Sequence, residues 1–439
     1  MTRISLLPKD DRTNGWSALL PPRQPRPSLS KDITADVVVI GAGYAGLGAA
    51  RRLAELRPHA KIVVFDAQQL GEGASGRNSG FAIDLPHNVG SSLEELAKGR
   101  AYLRLARAGI ASLRECVQRH GIDCDWSEDG KYHTASSERG AEQILRPTVE
   151  ELKRLGEPYE WLDAGKTARR LGTRHFAASV YTPGTVLLNP AALNRGLGDT
   201  LPENVTLYEN CPVLEADFGP TIMLRTAHGS VRAPKAILAV NGLAMRFGFW
   251  RGRLLNFAAH ASLSRRLTQA EQAAFGNIAP WGSTPANAFA GITMRYTNDR
   301  RILIRQNIHF CPGLRQSDER RQKIRAEHQR LFDERFPMLR GVTMEHTWTG
   351  YICLSRNGAP GFGQVAPNVW SAVCQNAVGV AKGTISGRLA AAMALGEDDP
   401  LISDMIGLGT PSPVPPRPFL DIGVRARFAY EIFKNRHEA

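Results

Sequence analysis

Two short uninterrupted runs of apolar residues, Val37 to Ile40 and Ile62 to Phe65, stand near the start of the chain. Runs of this length and composition are typical of strands that are buried on both faces of a parallel sheet. The segment between them, from Tyr44 to about Leu56, is predicted to form the connecting helix. The order strand, helix, strand therefore predicts a βαβ unit in the first part of the chain.

The turn after the first run is rich in glycine and reads Gly41-Ala42-Gly43-Tyr44-Ala45-Gly46. Gly41 permits the tight turn, Gly43 lets the backbone approach a pyrophosphate, and Gly46 lets the helix pack closely against the strand. The free N–H groups and the dipole of the helix N-terminus favour phosphate. Asp66, which ends the second run, is placed to accept a hydrogen bond from a ribose hydroxyl. The pattern predicts a dinucleotide site, and the alternative is a tight turn that holds no ligand.

Further elements are predicted from the spacing of apolar residues along the rest of the chain. Helices are expected at Leu93–Arg119, Glu138–Leu155, Asp318–Arg335 and Val380–Leu395, and strands at Trp126–Thr134, Asn204–Tyr208, Val231–Val240, Ala258–Ser264 and Arg301–Arg305. We predict an α/β protein with a Rossmann-like domain of the glutathione-reductase βαβ type. An interleaved α+β domain with a mixed or antiparallel sheet is expected to hold the substrate.

A chain of 439 residues exceeds the usual size of one domain, so two domains are expected. A proline-rich extended arm is predicted to lie on the surface, outside the core. The predicted boundaries are 1–32 for the arm, 33–100, 185–248 and 340–398 for the nucleotide-binding domain, 101–184 and 249–339 for the substrate domain, and 399–439 for a C-terminal tail.

Composition and charge limit the kinds of molecule that the protein is expected to bind. The net charge is +13, but the arginines are scattered along the chain, so a nucleic-acid partner is not expected. The six cysteines lie far apart without metal-ligand spacing, and neither a metal site nor a disulfide framework is predicted. The longest nearly apolar stretch, Val37 to Ala50, is too short to cross a bilayer. The simplest expectation is a cytoplasmic protein, either a monomer or a homodimer.

A second glycine-rich segment, Gly71 to Gly80, reads Gly-Glu-Gly-Ala-Ser-Gly-Arg-Asn-Ser-Gly. Together with the first glycine turn, it resembles the flavoproteins of the D-amino-acid-oxidase superfamily, and more narrowly the gamma-glutamylputrescine oxidoreductases and their relatives. The resemblance covers nearly the whole chain, and its supporting landmarks are Gly184–Pro190, Ala239–Gly242, Trp348–Gly350 and Pro360–Gly363.

The resemblance implies that FAD is the cofactor. Arg77 and Asn78 would donate to the phosphate, the ribitol or the flavin, and Ser79 and Gly80 would lie closest to the ring; the alternative for Arg77 is a loop arginine paired with a carboxylate. The segment Cys374–Val380 would lead into a helix N-terminus beneath the flavin. The cofactor contacts that the resemblance implies are Gly41, Gly43, Tyr44, Ala45, Gly46, Asp66, Ala67, Ser75, Arg77, Asn78, Ser79, Gly80, Val213, Asn241, Gly242, Trp348, Gly350, Ala377, Val378, Gly379 and Val380.

The segment from Cys374 to Val380 also departs from its relatives. Where this chain reads Cys-Gln-Asn-Ala-Val-Gly-Val, the superfamily pattern is Gly-Tyr-Ser-Gly-His-Gly-Val. Gly379 is kept, whereas Cys374, Ala377 and Val378 differ. We expect the backbone N–H groups of this segment to keep their role as hydrogen-bond donors. Any role of the histidine of the relatives is lost, because Val378 stands in its place.

The activity that the resemblance implies is oxidation of a carbon–nitrogen bond in an amine or amino acid. Hydride passes to the flavin, the imine is hydrolysed, and dioxygen or an electron carrier accepts the electrons. Candidate catalytic residues are His87, His260, Tyr296 and Gln375. The alternative for either histidine is a residue that only completes the packing of the core.

Two other functions stay open. The first is a 2-hydroxy-acid dehydrogenase, which would be favoured by a pocket arginine poised for a carboxylate in the absence of an aromatic or carbonyl cage for an amine. The second is a flavoprotein subunit that is non-catalytic or depends on a partner, which the altered segment after Cys374 and the basic composition would fit.

Overall fold

The computed structural model describes residues 1–86 and 99–438, and its strands form three main sheets. The first, the nucleotide sheet, has six strands, and its first five strands run parallel. In spatial order they are Val205–Tyr208, Ile62–Phe65, Val37–Ile40, Lys235–Leu238, Val369–Val373 and Gly361–Ala366. The predicted βαβ unit is confirmed, with its helix at Tyr44–Leu56.

The alternation of side chains along its strands gives the nucleotide sheet two buried faces. One face, which includes Val39 and Val64, packs against helices. The other, which includes Val38 and Val63, packs against the second sheet. The helices of the first layer are Tyr44–Leu56, Gly99–His120, Pro190–Asp199, Ala381–Leu395 and Pro400–Gly407. Of the helix predicted at Leu93–Arg119, residues 93–98 lie outside the described residues.

The second sheet, the small sheet, has five strands that cover the nucleotide sheet. In order they are Thr2–Arg3, Glu215–Phe218, Ile222–Arg225, Ser230–Ala233 and Ile33–Thr34. The segment Val231–Val240 forms strands as predicted, and Pro234 divides it into two strands that belong to different sheets. Proline lacks the N–H that continuous pairing requires.

The prediction that the first 32 residues lie outside the core is wrong for part of this segment. Ile4, Trp16 and Leu29 are buried, and Trp16 lies in a short helix, Gly15–Ala18. The ring centroids of Trp16 and Trp348 are 6.3 Å apart in an edge-to-face arrangement. Three apolar side chains of this arm therefore complete packing that the proline-rich composition did not reveal.

The third sheet, the large sheet, has eight strands and is mixed, as predicted for the second domain. Its strands in order are Met344–Ser355, Leu254–Ser264, Ile302–Phe310, Thr293–Tyr296, Trp281–Pro285, Lys131–Ala135, Ala178–Thr182 and Glu160–Asp163. Trp281–Pro285 and Lys131–Ala135 run parallel, and the other neighbours run antiparallel. Strand Met344–Ser355 lies in this sheet although its sequence falls in the predicted nucleotide-binding segment 340–398, and the domain boundaries remain predictions.

Helix Asp318–Arg335 covers one face of the large sheet, where the Nδ1 of His328 lies 2.8 Å from the hydroxyl of Ser262. On the opposite face, Ala261 and Leu303 share a core cluster with Trp16 of the arm and with Ala191 of helix Pro190–Asp199. The remaining elements are helices Glu138–Gly140, Arg146–Leu155, Ala164–Leu171, Gln269–Ala274 and Phe419–Lys434, a π-helical turn at Ala141–Leu145, 3₁₀ turns at Asn241–Phe247, Pro337–Leu339 and Arg436–Glu438, and a ribbon of Phe81–Ala82 with Val186–Leu187. None of the helices in the described ranges is long and apolar enough to cross a membrane.

Candidate active site

The glycine turn has the close backbone contacts that its sequence predicts. Gly41 has φ of +103°, and its N–H donates to the carbonyl of Phe65 at 2.7 Å. A Cβ at Gly46 would lie 1.7 Å from the carbonyl oxygen of Gly41. Any side chain at Gly46 would push the helix away from the strand, and the open N-terminus of the helix would move with it.

Two adjoining pockets form a crevice that runs from this turn to the large sheet. Both are lined by Gly43, Ser75, Arg77 and Asn241, so they share a wall. The cofactor candidates that line the crevice are Gly41, Gly43, Tyr44, Ala45, Asp66, Ala67, Ser75, Arg77, Asn78, Ser79, Val213, Asn241, Gly242, Gly350, Ala377, Gly379 and Val380. Four candidates do not line it, namely Gly46, Gly80, Trp348 and Val378.

Three of those four lie behind the wall of the crevice. Gly46 packs on the glycine turn. Gly80 has φ of +77° and is surrounded by Arg295 and the carbonyl of Leu188, so that no side chain would fit there. Trp348 donates from its indole N–H to the carbonyl of Arg77 at 3.0 Å. These residues hold the shape of the crevice, and a direct contact with the cofactor is not supported by their positions.

The side chain of Arg77 is occupied by protein groups. Its Nη2 lies 2.8 Å from a carboxylate oxygen of Asp11, and its Nε donates to the carbonyl of Glu72 at 2.8 Å. Its Nη1 donates to the carbonyl of Thr349 at 3.2 Å. The geometry therefore favours the alternative reading of Arg77 as a loop arginine paired with carboxylates, which fixes the Arg77–Gly80 loop against the large sheet.

Arg295 fixes the same loop from the other side and was not found by sequence reasoning. It is buried, and its Nη1 donates to the carbonyls of Ser79, Gly80 and Leu188 at 3.3, 3.0 and 2.6 Å. Burial lowers the pKa of Arg295 to about 10. A lone arginine in the strand Thr293–Tyr296 was the available signal, but only the packing of the two domains shows what it contacts.

Two candidate catalytic residues lie on the wrong face of the large sheet. Neighbouring residues of a strand point to opposite faces, and Ala259 and Ala261 line the crevice. His260 therefore points away; its Nδ1 lies 3.0 Å from the hydroxyl of Thr349, and its ring stacks on His309. Tyr296 likewise packs edge-to-face on Phe275 in a separate core cluster. The prediction that these two side chains flank the substrate is not supported by the geometry.

Of the other two candidate catalytic residues, the structure describes Gln375 but not His87. Gln375 lines the crevice; its Nε2 donates to the hydroxyl of Ser386 at 3.1 Å, while its Oε1 is buried and has no hydrogen-bond partner in the described part of the chain. His87 lies outside the described residues. Gln375 is thus the candidate that the described structure brings to the crevice.

The segment that begins at Cys374 has a backbone conformation that favours glycine at three positions that are not glycine. Cys374, Asn376 and Ala377 have φ of +55°, +51° and +66°. Cys374 and Ala377 stand where the superfamily pattern has glycine, the residue that adopts this conformation without strain. The segment leads into helix Ala381–Leu395, as the sequence predicts.

The residues present fit a flavin dinucleotide. The glycine backbone at Gly43 lines both pockets, and a Cβ at Gly379 would meet only the Cβ of Gln375, at 3.8 Å. The Oε1 of Gln375, which has no partner among residues 1–86 and 99–438, is an acceptor available to a bound molecule. A dinucleotide crevice at the carboxyl edge of a parallel sheet, closed by the large sheet, defines a class of cofactor-dependent enzyme domains.

Comparison with known proteins identifies the family. Residues 36–393 match the model of the family described as DAO: FAD dependent oxidoreductase. Because the match covers most of the chain, the protein belongs to this family, and it is a flavoprotein oxidoreductase whose cofactor is FAD. The resemblance seen in the two glycine-rich segments is confirmed.

The individual proteins to which this chain is similar have low sequence identity to it. The chain is 25% identical to the probable oxidoreductase OrdL of Haemophilus influenzae over 421 residues, which cover 94% of each chain. It is 26% identical to the gamma-glutamylputrescine oxidoreductase of Escherichia coli, over 85% of this chain and 86% of that protein. The crystal structure of glycine oxidase from Geobacillus kaustophilus has the same fold, with a TM-score of 0.68 and 20% identity over 84% of this chain and 96% of that one.

Proposed function

We propose that this FAD-dependent oxidoreductase oxidises a carbon–nitrogen bond of an amine or amino acid and releases an imine that water hydrolyses. The observation that carries the proposal is the wall of the crevice opposite the predicted ring position. This wall is lined by the small or apolar residues Ala259, Ala261, Ile308, Gly350 and Ile352, together with the polar residues Thr284, Thr293 and Arg305 and the aromatic residue Tyr351. In the described residues of this pocket, neither a carboxylate nor an imidazole is part of the lining.

Such a wall suits an amine better than an alcohol. Bound FAD supplies a hydride acceptor, and a neutral amine can give up hydride from its carbon without a protein base, since its lone pair stabilises the cation that forms. An alcohol must also lose the proton of its hydroxyl group, for which a general base is normally required. The apolar residues of the wall and the guanidinium of Arg305 both disfavour a charged ammonium ion and so favour the neutral amine.

Gln375 is the residue that we assign to the amine. Its buried Oε1 has no partner among the described residues, and its Nε2 is held by Ser386. An amide held in this way presents a fixed acceptor to an N–H group of the substrate or cofactor.

The relatives support this reaction class. One relative is named a gamma-glutamylputrescine oxidoreductase, and a protein of the same fold is named a glycine oxidase. The proposal extends only the reaction class of those two names to this chain. A cytoplasmic location, a monomeric or homodimeric state and the nature of the electron acceptor remain predictions from the sequence.

The test is anaerobic mixing of the FAD-loaded protein with primary amines, N-methyl amino acids, D- and L-amino acids and 2-hydroxy acids. We expect the flavin absorbance near 450 nm to bleach with a nitrogen-containing compound and the corresponding carbonyl product to appear. Bleaching by 2-hydroxy acids alone would establish the first alternative. Bleaching by no compound, together with co-purification of a partner that restores it, would establish the second.

Reoxidation on admission of air then identifies the acceptor. Rapid recovery of the absorbance would identify dioxygen as an acceptor, and recovery only with an added quinone or dye would identify a carrier.

A further inference from the structure

The helix Phe419–Lys434 is held against the large sheet by one of its faces. The ring of Phe428 stacks on that of Phe257, with the two ring centroids 4.9 Å apart. Phe428 and Val424 also belong to an apolar cluster that includes Ile308, which lines the crevice. The inner side of the helix therefore fixes it beside the crevice.

A second apolar face of this helix, the outer face, points away from the protein. Helical spacing places six residues on one stripe, namely Phe419, Ile422, Ala426, Ala429, Tyr430 and Phe433. Phe419, Ile422 and Phe433 are 69%, 64% and 67% exposed. Eight large apolar side chains of the described ranges are exposed, and five of them belong to this helix. A patch of this kind marks a place where another molecule binds.

Basic side chains border the outer face on both sides. At 3.6 residues per turn, Arg425 falls on one side of the stripe, and Arg427 and Lys434 fall on the other. Just beyond the helix, the guanidinium of Arg436 lies 4.4 Å from the centre of the Phe433 ring. Positive charges therefore lie directly beside the exposed rings.

The two acidic residues of the helix, Asp421 and Glu431, lie away from the outer face, and their side chains are only 25% and 15% exposed. Each is paired with an arginine, Asp421 with Arg417 at 3.2 Å and Glu431 with Arg427 at 2.6 Å. Residues 417–436 include five basic residues and two acidic ones. The outer face thus presents an apolar stripe in a positively charged surround.

The charge pattern decides which partner fits the outer face. A second copy of the chain, packed face to face about a two-fold axis, would bring the basic borders of the two helices together, and such like-charge contacts oppose association. A membrane with anionic lipids matches both parts of the pattern, because its acyl chains accept the apolar stripe and its headgroups pair with the basic borders. A helix of 16 residues, about 24 Å long, is suited to lie in the plane of such a surface.

We propose that the outer face of helix Phe419–Lys434 binds an anionic membrane surface. The helix lies in the interface, with Ile422 and Phe433 among the acyl chains and with Arg425 and Lys434 at the lipid headgroups. The crevice then lies close to the bilayer, because the inner side of the helix packs on residues of the crevice wall. This inference does not depend on the reaction proposed above, since neither the substrate nor hydride transfer enters into it.

The experiment mixes the FAD-loaded protein with vesicles of phosphatidylcholine alone and with vesicles that also contain about 30% phosphatidylglycerol. Co-sedimentation measures the affinity, and amide hydrogen exchange locates the contact. We expect the anionic vesicles to bind the protein at least roughly tenfold more tightly than the neutral ones, and the affinity to fall as salt is added. Slower exchange on the vesicles should appear in Phe419–Lys434.

The first double variant replaces two apolar residues of the outer face. Ile422→Gln together with Phe433→Gln should weaken binding to anionic vesicles roughly tenfold or more, because two apolar side chains no longer leave water. Both positions are exposed and glutamine is a good helix former, so the folded state and the FAD content should not change. Ile406→Gln is the matched control: Ile406 is 55% exposed on helix Pro400–Gly407, outside the outer face, and vesicle binding should stay the same.

The second double variant removes charge from the borders. Arg425→Gln together with Lys434→Gln should weaken binding to anionic vesicles roughly 20-fold, about fivefold for each charge, and should leave binding to neutral vesicles unchanged. Lys166→Gln is the control for a lost charge, since Lys166 is exposed on helix Ala164–Leu171, which follows an edge strand of the large sheet. This control should bind anionic vesicles nearly as well as the unaltered protein.

The outcomes distinguish a membrane from a second copy of the chain. No binding to anionic vesicles, or equal binding by the unaltered protein and by both double variants, overturns the inference. If Ile422→Gln with Phe433→Gln converts a dimer into a monomer while no vesicle binds, the outer face joins two copies and the inference is likewise overturned. Bleaching of the flavin by an amine without vesicles should be the same in all variants, so a failure of the proposed reaction is recognised separately.

Discussion

The carboxylate of Asp66 accepts a hydrogen bond from the backbone N–H of Ala42 at 2.7 Å and so joins the end of one strand to the glycine turn of another. Its second oxygen accepts from the N–H of Gln68 at 2.9 Å. Burial nevertheless raises the pKa of Asp66 to about 6, which outweighs these two hydrogen bonds. The charge of the residue predicted to hold the ribose therefore changes close to neutral pH.

We expect the affinity for FAD to depend on pH through Asp66. An ionised carboxylate accepts hydrogen bonds from ribose hydroxyls better than a protonated one, so affinity should rise from pH 5 to pH 7 and level off above the pKa. Titration of the apoprotein with FAD, followed by flavin fluorescence, measures this. Asp66→Asn should bind FAD more weakly with a flat profile across this range, and an unchanged slope would contradict the assignment.

The stability of the apoprotein depends on pH in the opposite direction to its affinity for FAD. Because the folded pKa of Asp66 lies above its unfolded value of 3.8, the folded apoprotein binds the proton more tightly between these values. The contribution of Asp66 to apoprotein stability is therefore greatest below pH 3.8 and falls as the pH rises toward 6. Chemical denaturation of the unaltered apoprotein and of Asp66→Asn across this pH range measures the contribution as a difference in the free energy of unfolding.

Ala377→Gly should stabilise the protein. Ala377 has φ of +66°, a conformation that is strained for alanine and free for glycine. We expect a gain of about 0.5–1 kcal/mol, after the larger entropy of glycine in the unfolded chain is subtracted. Ala391→Gly, in the interior of helix Ala381–Leu395, is the control and should cost about 1 kcal/mol or more. Equal losses in both variants would disprove strain at Ala377.

His260 should affect stability in acid without affecting the reaction. Burial lowers the pKa of His260 to about 3, below the ordinary value of 6.5, so its contribution to stability is complete above pH 6.5 and is lost as the pH falls. At pH 5 the linkage cost is about 2 kcal/mol. His260→Gln should therefore show a smaller loss of stability between pH 7 and pH 5.

Two comparisons check the role of His260. The exposed residue His59 provides the control, and His59→Gln should keep the acid sensitivity of the unaltered protein. The rate of flavin reduction by a substrate should keep the same pH profile in His260→Gln, since His260 points away from the crevice. A lost limb of that profile would show that His260 acts in the reaction.

Gln375→Met should weaken productive binding of the amine. The change keeps the length of the side chain and removes the buried Oε1 acceptor together with the donor to Ser386. We expect kcat/KM for flavin reduction to fall roughly tenfold, the value of one hydrogen bond to a positioned group. Ser386→Ala removes the support alone and should have a smaller effect. Unchanged kinetics in Gln375→Met would exclude contact with the substrate.

The cofactor half of the crevice could be predicted because the residues that form it lie close together in the sequence. Gly41, Gly43 and Gly46 act within one turn, and Asp66 follows on the adjacent strand, so the spacing along the chain fixes their relative positions. The resemblance carried by Gly71–Gly80 extended the prediction to the flavin. The burial of Trp16 against Trp348 could not be predicted, because the two residues are far apart in sequence and meet only when the arm folds back.

The substrate half could not be predicted in the same way. The sequence by itself determined the nucleotide fold, the identity of the cofactor family and the alternating faces of the strands, since these depend on short-range spacing and backbone geometry. Only the tertiary structure decided which face of the large sheet meets the crevice. That choice turned His260 and Tyr296 away and brought Arg305 in, because successive side chains of a strand point to opposite sides and only interdomain packing selects one of them.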